Sequence, residues 1–248
     1  NVFEEPVGVL EPHYPMAQYI SKQGIKVLLN GLGPDELLAG YMKYNWLDFW
    51  SKNKHYRGIR NFIPNIWKLK RLKGLLSADS IFSAYYEMQH NALQSNENPF
   101  IAESKQDNFS YMMNLFKCKE SDFTDDIQAA SYLDLKVYIG THHNHTTDRF
   151  LMRFGIEGRF PFLDHEFVEF CFKLPREYKI NNKIGKTILR SLAEKYIHPK
   201  CLTAKKKGFG IPEHLFLNKN TQDKIIGRLE KLKTRGFFEE KMINSTCQ

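Results

Sequence analysis

One stretch near the start of the chain, GIKVLLNGLGPDELLAGY (24–41), constrains the fold more than any other. IKVLL is a short apolar run that reads as a strand buried on both faces, apart from Lys26. GLGP then turns the chain, and Pro34 suits the first position of a helix because its missing N–H has no partner there anyway. Asp35 and Glu36 fall in that helix's first turn, beside the positive end of its dipole. Just upstream, YPMAQYISKQG has Pro15 in a first helical turn and Gly24 where a helix ends. The order helix, strand, turn, helix is one unit of an α/β sheet.

Most of the remainder has helical patterning. GKTILRSLAEKYIHP puts Ile188, Leu189, Leu192, Ala193, Tyr196 and Ile197 on one stripe that runs to Pro199. LDHEFVEFCFKLP offers Asp164 as an N-cap and closes at Pro175. Residues 79–94 and 126–139 also read as helices, YKINNKIGK reads as a hairpin, and 95–108 is a polar loop. A parallel strand needs neighbours, and residues 25–30 find no convincing one downstream. The chain begins with Asn1, so the expectation is that partner strands lie upstream and that this is the C-terminal piece of a larger protein. Three regions are expected: 1–45 as the end of a nucleotide-binding sheet, 46–125 as a basic helical region, and 126–248 as a helical remainder.

The net charge of +8 is concentrated in one place. Residues 51–78 contain Lys52, Lys54, Arg57, Arg60, Lys68, Lys70, Arg71 and Lys73 and no acid, which leaves 28 basic against 28 acidic residues elsewhere. Tyr56, Phe62 and Trp67 interleave with these charges, so a polyanion-binding stripe and a solvated helical surface both fit, and the second is favoured because a charge run lacks stereochemical specificity. Nucleic acid is therefore not an expected partner. Cys118, Cys171, Cys201 and Cys247 are widely spaced without a CxxC pair, which points to reduced thiols and a cytoplasmic setting. No apolar run reaches the length of a membrane span.

Backbone N–H groups of NGLG and the following helix terminus can cradle an anion such as phosphate, with Asp35 holding a bridging Mg²⁺. An ordinary strand-to-helix turn with capping acids is the alternative. Three further stretches bear on the choice: RFGIEGRFPFLDHEFVEF (153–170), GKTILR (185–190) and TAKKKGFGIPEHLF (203–216). With NGLGPDELLAGY, these resemble in order and spacing the C-terminal synthetase domain of glutamine-dependent asparagine synthetases. The resemblance runs from about residue 6 to 216 and is thin across 46–125.

The resemblance implies an α/β fold of the adenine-nucleotide α-hydrolase type, mostly helical in this portion with one strong parallel strand. It implies the cofactors ATP and Mg²⁺, a carboxylate substrate such as aspartate, ammonia from a glutaminase domain, and a homodimer. The carboxylate would be activated as an acyl-adenylate and attacked by ammonia. Lys206 matches the family's catalytic lysine, and Lys205 and Lys207 read as surface neighbours. Asp35 matches the Mg²⁺-binding aspartate of the pyrophosphate loop, in which Asn30 and Gly31 replace a usual Ser-Gly pair and Gly33 follows. Lys186 and Arg190, spaced i and i+4, either help position phosphates or form a solvated face. Arg159 and Asp164 read mainly as structural, an ion pair or cap beneath the site. Relatives of the same fold include β-lactam synthetases and lasso-peptide cyclases, in which an amine within the substrate replaces ammonia. A degenerate, non-catalytic binding module using the basic stripe is the reading from a different class.

The chain departs from the family pattern at four points. SGG-x-D-S, the ATP-pyrophosphatase loop, does not occur in the sequence, and neither does an N-terminal cysteine nucleophile for glutamine hydrolysis. Both departures fit the expected upstream portion. THHNHTTDR (141–149) replaces an acidic and aliphatic segment, and His142, His143 and His145 at i, i+1 and i+3 do not share one α-helical face. Leu32 stands where asparagine synthetases typically have glutamate and β-lactam synthetases tyrosine. Leucine can only wall off water, and Pro34 removes one backbone donor from the loop. A poor aspartate-plus-ammonia ligase, with a bulkier substrate or with lost activity, is the expectation.

Overall fold

The computed structural model describes residues 13–55, 58, 62, 67–89, 113–114, 116–203 and 219–233. The chain divides into two compact units, Asn1–Met88 with Cys118–Phe209 and Gln89–Lys117 with Gly210–Gln248. The second unit contains the helix Lys219–Lys233, on which Ile225 and Ile226 are exposed. None of the described helices is long and apolar enough to cross a membrane.

The opening unit folds as its pattern predicts. A helix spans His13–Lys22, Gly24 takes φ 75° just beyond its end, and β1 covers Val27–Leu29. The left-handed conformation at Gly24 costs a glycine little, which is why the helix stops there. Contrary to the expectation of no downstream partner, β1 pairs in parallel with β2, Glu157–Arg159, in the register Val27 to Glu157 and Leu29 to Arg159. β2 escapes sequence detection because it is three residues long, EGR, with two charges and a glycine.

Burial on both faces of β1 is also corrected. Leu28 packs with the cluster of Ala17, Leu151 and Ile156, while Val27 and Leu29, on the opposite face, are 43% and 70% exposed. Side chains alternate across a strand, so only one face meets the two helices.

The helix expected over 126–139 is longer and changes character midway. Asp125 caps it, accepting from the N–H groups of Ile127 and Gln128, and an α-helix runs Asp126–Leu133. A π-helical stretch follows over Asp134–His143, then α-helix again to Met152. Long π stretches are rare and recur at functional sites. In an α-helix, residues five apart would point about 140° away from each other. One π turn instead brings Tyr138 and His143 together, their rings 4.3 Å apart edge to face.

Asp164 caps the helix His165–Lys173 by accepting from Glu166 and Phe167, which agrees with the sequence reading. That helix packs Cys171, Phe167 and Val168 against Leu37 and Leu38. Each fully buried leucine there contributes about 2 kcal/mol. Burial also pushes the Cys171 thiol up to about 11, so it stays protonated and inert. The hairpin is present as β3, Ile180–Asn181, and β4, Ile184–Gly185, with Asn182 and Lys183 both at positive φ in the two-residue turn. The next helix stops at Ala193 instead of running to Pro199. Leu192 and Tyr196 of its expected apolar stripe are 51% and 78% exposed, so among the described residues the stripe lacks the packing that would extend it.

Asp48 joins this hairpin region to the helix Met42–Lys52. It takes a hydrogen bond of 2.9 Å from Lys52 and a two-nitrogen contact from Arg176, which also donates to Ser51 at 3.3 Å. Burial alone would raise its carboxyl, but the Lys52 and Arg176 hydrogen bonds and charges outweigh that and hold it below the ordinary 3.8. A depressed carboxylate contributes stability above its unfolded value and loses it as pH falls through the folded one. Asp48→Asn is therefore expected to lower the melting temperature at pH 7, and the difference to shrink as pH falls below 3.8 through the depressed folded-state value. A difference that stays constant with pH, measured by thermal denaturation, would show that the charge is irrelevant.

Candidate active site

The NGLGP turn is held from beneath by the second family-like stretch. Asn30 N–H donates to the Arg159 carbonyl at 2.8 Å as β1 ends. The Asn30 side-chain oxygen then accepts from Leu32 N–H at 3.0 Å, an Asx turn. That donor is consequently used within the loop. Gly33 has φ 115°, and a Cβ placed on it would lie 2.7 Å from Leu163 Cδ2, so this position requires glycine twice over. The helix that follows, Pro34–Leu37, is a single turn. Its dipole is correspondingly small, and the charge at the turn comes mainly from side chains.

Asp35 meets Lys186 across 3.0 Å, with the two side chains 25% and 24% exposed. The pair is brought together by the hairpin: Lys186 N–H donates to the Leu38 carbonyl at 2.7 Å, and a Cβ on Gly40 would overlap the Asp35 carboxylate and the Lys186 stem. Lys186 itself is the left-handed N-cap of the helix Thr187–Ala193, so it does not lie on that helix's face. Arg190 turns back, donating to the carbonyls of Gly185 and Leu202, each at 3.0 Å. Its guanidinium braces the segment 185–202 that carries Lys186. Gly31 is open, with nothing within 4 Å of a Cβ. Arg159 pairs with Glu157 at 2.8 Å, both exposed. Lys206, with Lys205 and Lys207, lies outside the described residues.

Behind this pair lies a buried polar cluster that pattern reading missed. Glu36, read from sequence as a dipole-facing acid, is 1% exposed. Its Oε1 accepts from the Tyr41 hydroxyl at 2.5 Å. Burial pushes its carboxyl above the ordinary range, with Asp134 and Asp35 adding to the rise and the Tyr41 hydrogen bond opposing it. Burial, then the Glu36 charge, push the Tyr41 hydroxyl far above its ordinary value, so it remains a neutral donor. Fully buried Asp134 accepts from Lys43 at 2.5 Å, Tyr44 at 2.5 Å and Tyr85 at 2.6 Å. Lys43 Nζ lies 5.0–5.8 Å from the ring centres of Tyr41, Tyr44, Tyr85 and Tyr138. Tyr138 meets Tyr41 edge to face at 5.9 Å and His143 on its other side.

No group of three His, Cys, Asp or Glu among the described residues is arranged to hold a metal. That includes the described part of the THHNHTTDR segment. Asp35 is nevertheless the type of ligand Mg²⁺ takes, since that ion is commonly held by one or two carboxylates plus phosphate oxygens and water.

The strand-to-helix turn is thus closed by an aspartate–lysine pair and backed by buried acids. The asparagine synthase family model matches residues 1–247, and the chain belongs to that family. It is 24% identical over 247 residues to asparagine synthetase [glutamine-hydrolyzing] 1 of Bacillus subtilis (strain 168), covering 96% of this chain and 39% of that protein. The chain thus spans about two-fifths of the relative's length. No solved structure matches it.

Proposed function

We propose that this chain forms part of an ATP-dependent carbon–nitrogen ligase that activates a carboxylate as an acyl-adenylate and passes it to ammonia or an amine. The observation that carries this reading is the 3.0 Å Asp35–Lys186 pair at the NGLGP turn, in a chain of the asparagine synthase family. Mg²⁺, when bound at Asp35, supplies charge that neutralises phosphate oxygens. Lys186 offers a second positive group at the same place, and Lys206 of the KKKGF stretch is read as the catalytic lysine from its match to the family motif. Asn30 and Gly33 keep the turn in shape, and Arg190 keeps Lys186 within reach. Lys52 pairs with Asp48, and Lys54 pairs with Asp126 at 3.0 Å and lies over Trp50, which weighs against a polyanion-binding stripe for these two.

Leu32 favours an amine other than ammonia, or a carboxylate bulkier than aspartate, because it offers no polar group to either substrate. The test is to assay the intact protein with ATP, aspartate and ammonia beside a Leu32→Glu variant. The expected result is weak asparagine formation that the variant improves. Brisk synthesis by the unaltered protein would make Leu32 a tolerated substitution and aspartate the substrate.

A further inference from the structure

We propose that Oε2 of Glu36 receives an N–H of the incoming amine, against a wall formed by Tyr41 and Tyr138; this rests on the ligase reading above. Glu36 is almost completely buried, and Tyr41 clamps only one of its oxygens. The other, Oε2, is buried with no hydrogen-bond partner among the described residues. A buried carboxylate oxygen without a donor is costly, and native structures seldom leave one so unless a ligand or water completes it.

The surroundings select the kind of ligand. Asp35, Glu36 and Asp134 stand against Lys186 and Lys43, with Asp35 and Asp134 both close enough to act on the Glu36 charge. A carboxylate oxygen can only accept a hydrogen bond, so the group that completes Oε2 is a donor such as an N–H. The location suits it as well. Gly40 N–H donates to the Asp35 carbonyl at 2.7 Å, so Tyr41 begins one residue from the Asp35–Lys186 pair. Glu36 thus supplies, from behind the turn, the polar acceptor that Leu32 does not supply within it. The ligand class is ammonia or a small primary amine.

The test compares the intact protein with its Glu36→Gln and Tyr41→Phe variants, using ATP and aspartate, or whichever carboxylate of a panel the unaltered protein activates. Ammonium and hydroxylamine serve as the amine probes, and pyrophosphate release is followed separately from amide or hydroxamate formation. The expected result is a rise of about tenfold or more in KM for both amines, with KM for ATP and for the carboxylate unmoved. Tyr41→Phe deletes a single oxygen and keeps the test available if the glutamine variant fails to fold. An unchanged amine KM in Tyr41→Phe and in any folded Glu36→Gln, or equal rises for all three substrates, would overturn the assignment. If the unaltered protein releases no pyrophosphate with any carboxylate, the ligase reading fails first and takes this assignment with it.

Discussion

Asp134→Ala is expected to lower the melting temperature by roughly 10 °C. Asp134 is the common acceptor for Lys43, Tyr44 and Tyr85, which come from the helices Met42–Lys52 and Ile81–Gln89. Its removal leaves the Lys43 ammonium, 13% exposed, without that anion, and takes one acceptor from each of the buried Tyr44 and Tyr85 hydroxyls. Breaking a buried pair from one side costs about 3–5 kcal/mol, because the remaining charge stays desolvated. The cation–π contacts of Lys43 with its four tyrosine rings replace only part of that loss. A double variant, Asp134→Ala with Lys43→Met, should be more stable than Asp134→Ala alone, since the stranded charge is gone. Thermal denaturation checks both. A drop of only a degree or two would mean that the cluster is solvated and not a hub.

Lys206→Ala is expected to reduce amide formation by on the order of 100-fold to 1,000-fold, against less than about tenfold for Lys205→Ala. Attack on an acyl-adenylate concentrates negative charge on phosphate oxygens, and a positioned ammonium stabilises that charge most where it develops. A lysine that does not reach those oxygens adds only a screened field. Asp35→Asn should raise the Mg²⁺ concentration needed for half-maximal rate, because one hard anionic ligand is lost. Steady-state rates of pyrophosphate release and amide formation measure all three. Equal, mild effects from both lysines would return KKKGF to the status of a surface loop.

What the sequence by itself determined was local. Gly24 ends its helix, Asp164 begins another, Pro34 opens the single turn after NGLG, and NNK folds the hairpin, because each depends on backbone preferences over a few residues. The ordered motifs also placed the chain in its family, since their residue types and spacing are legible without coordinates. The tertiary structure decided the rest. Parallel pairing of β1 with EGR joins segments about 130 residues apart, and neither charge nor length marks EGR as a strand. Lys186 reaches Asp35 only because the hairpin folds back onto Leu38–Gly40, so its i, i+4 spacing from Arg190 was no guide. Glu36 read as a dipole-facing acid of a first turn, and Asp134 was one residue of an expected helix over 126–139. Their burial, and with it their chemistry, depends on tyrosines supplied by other elements, because desolvation and hydrogen bonding are set by packing that no local pattern records.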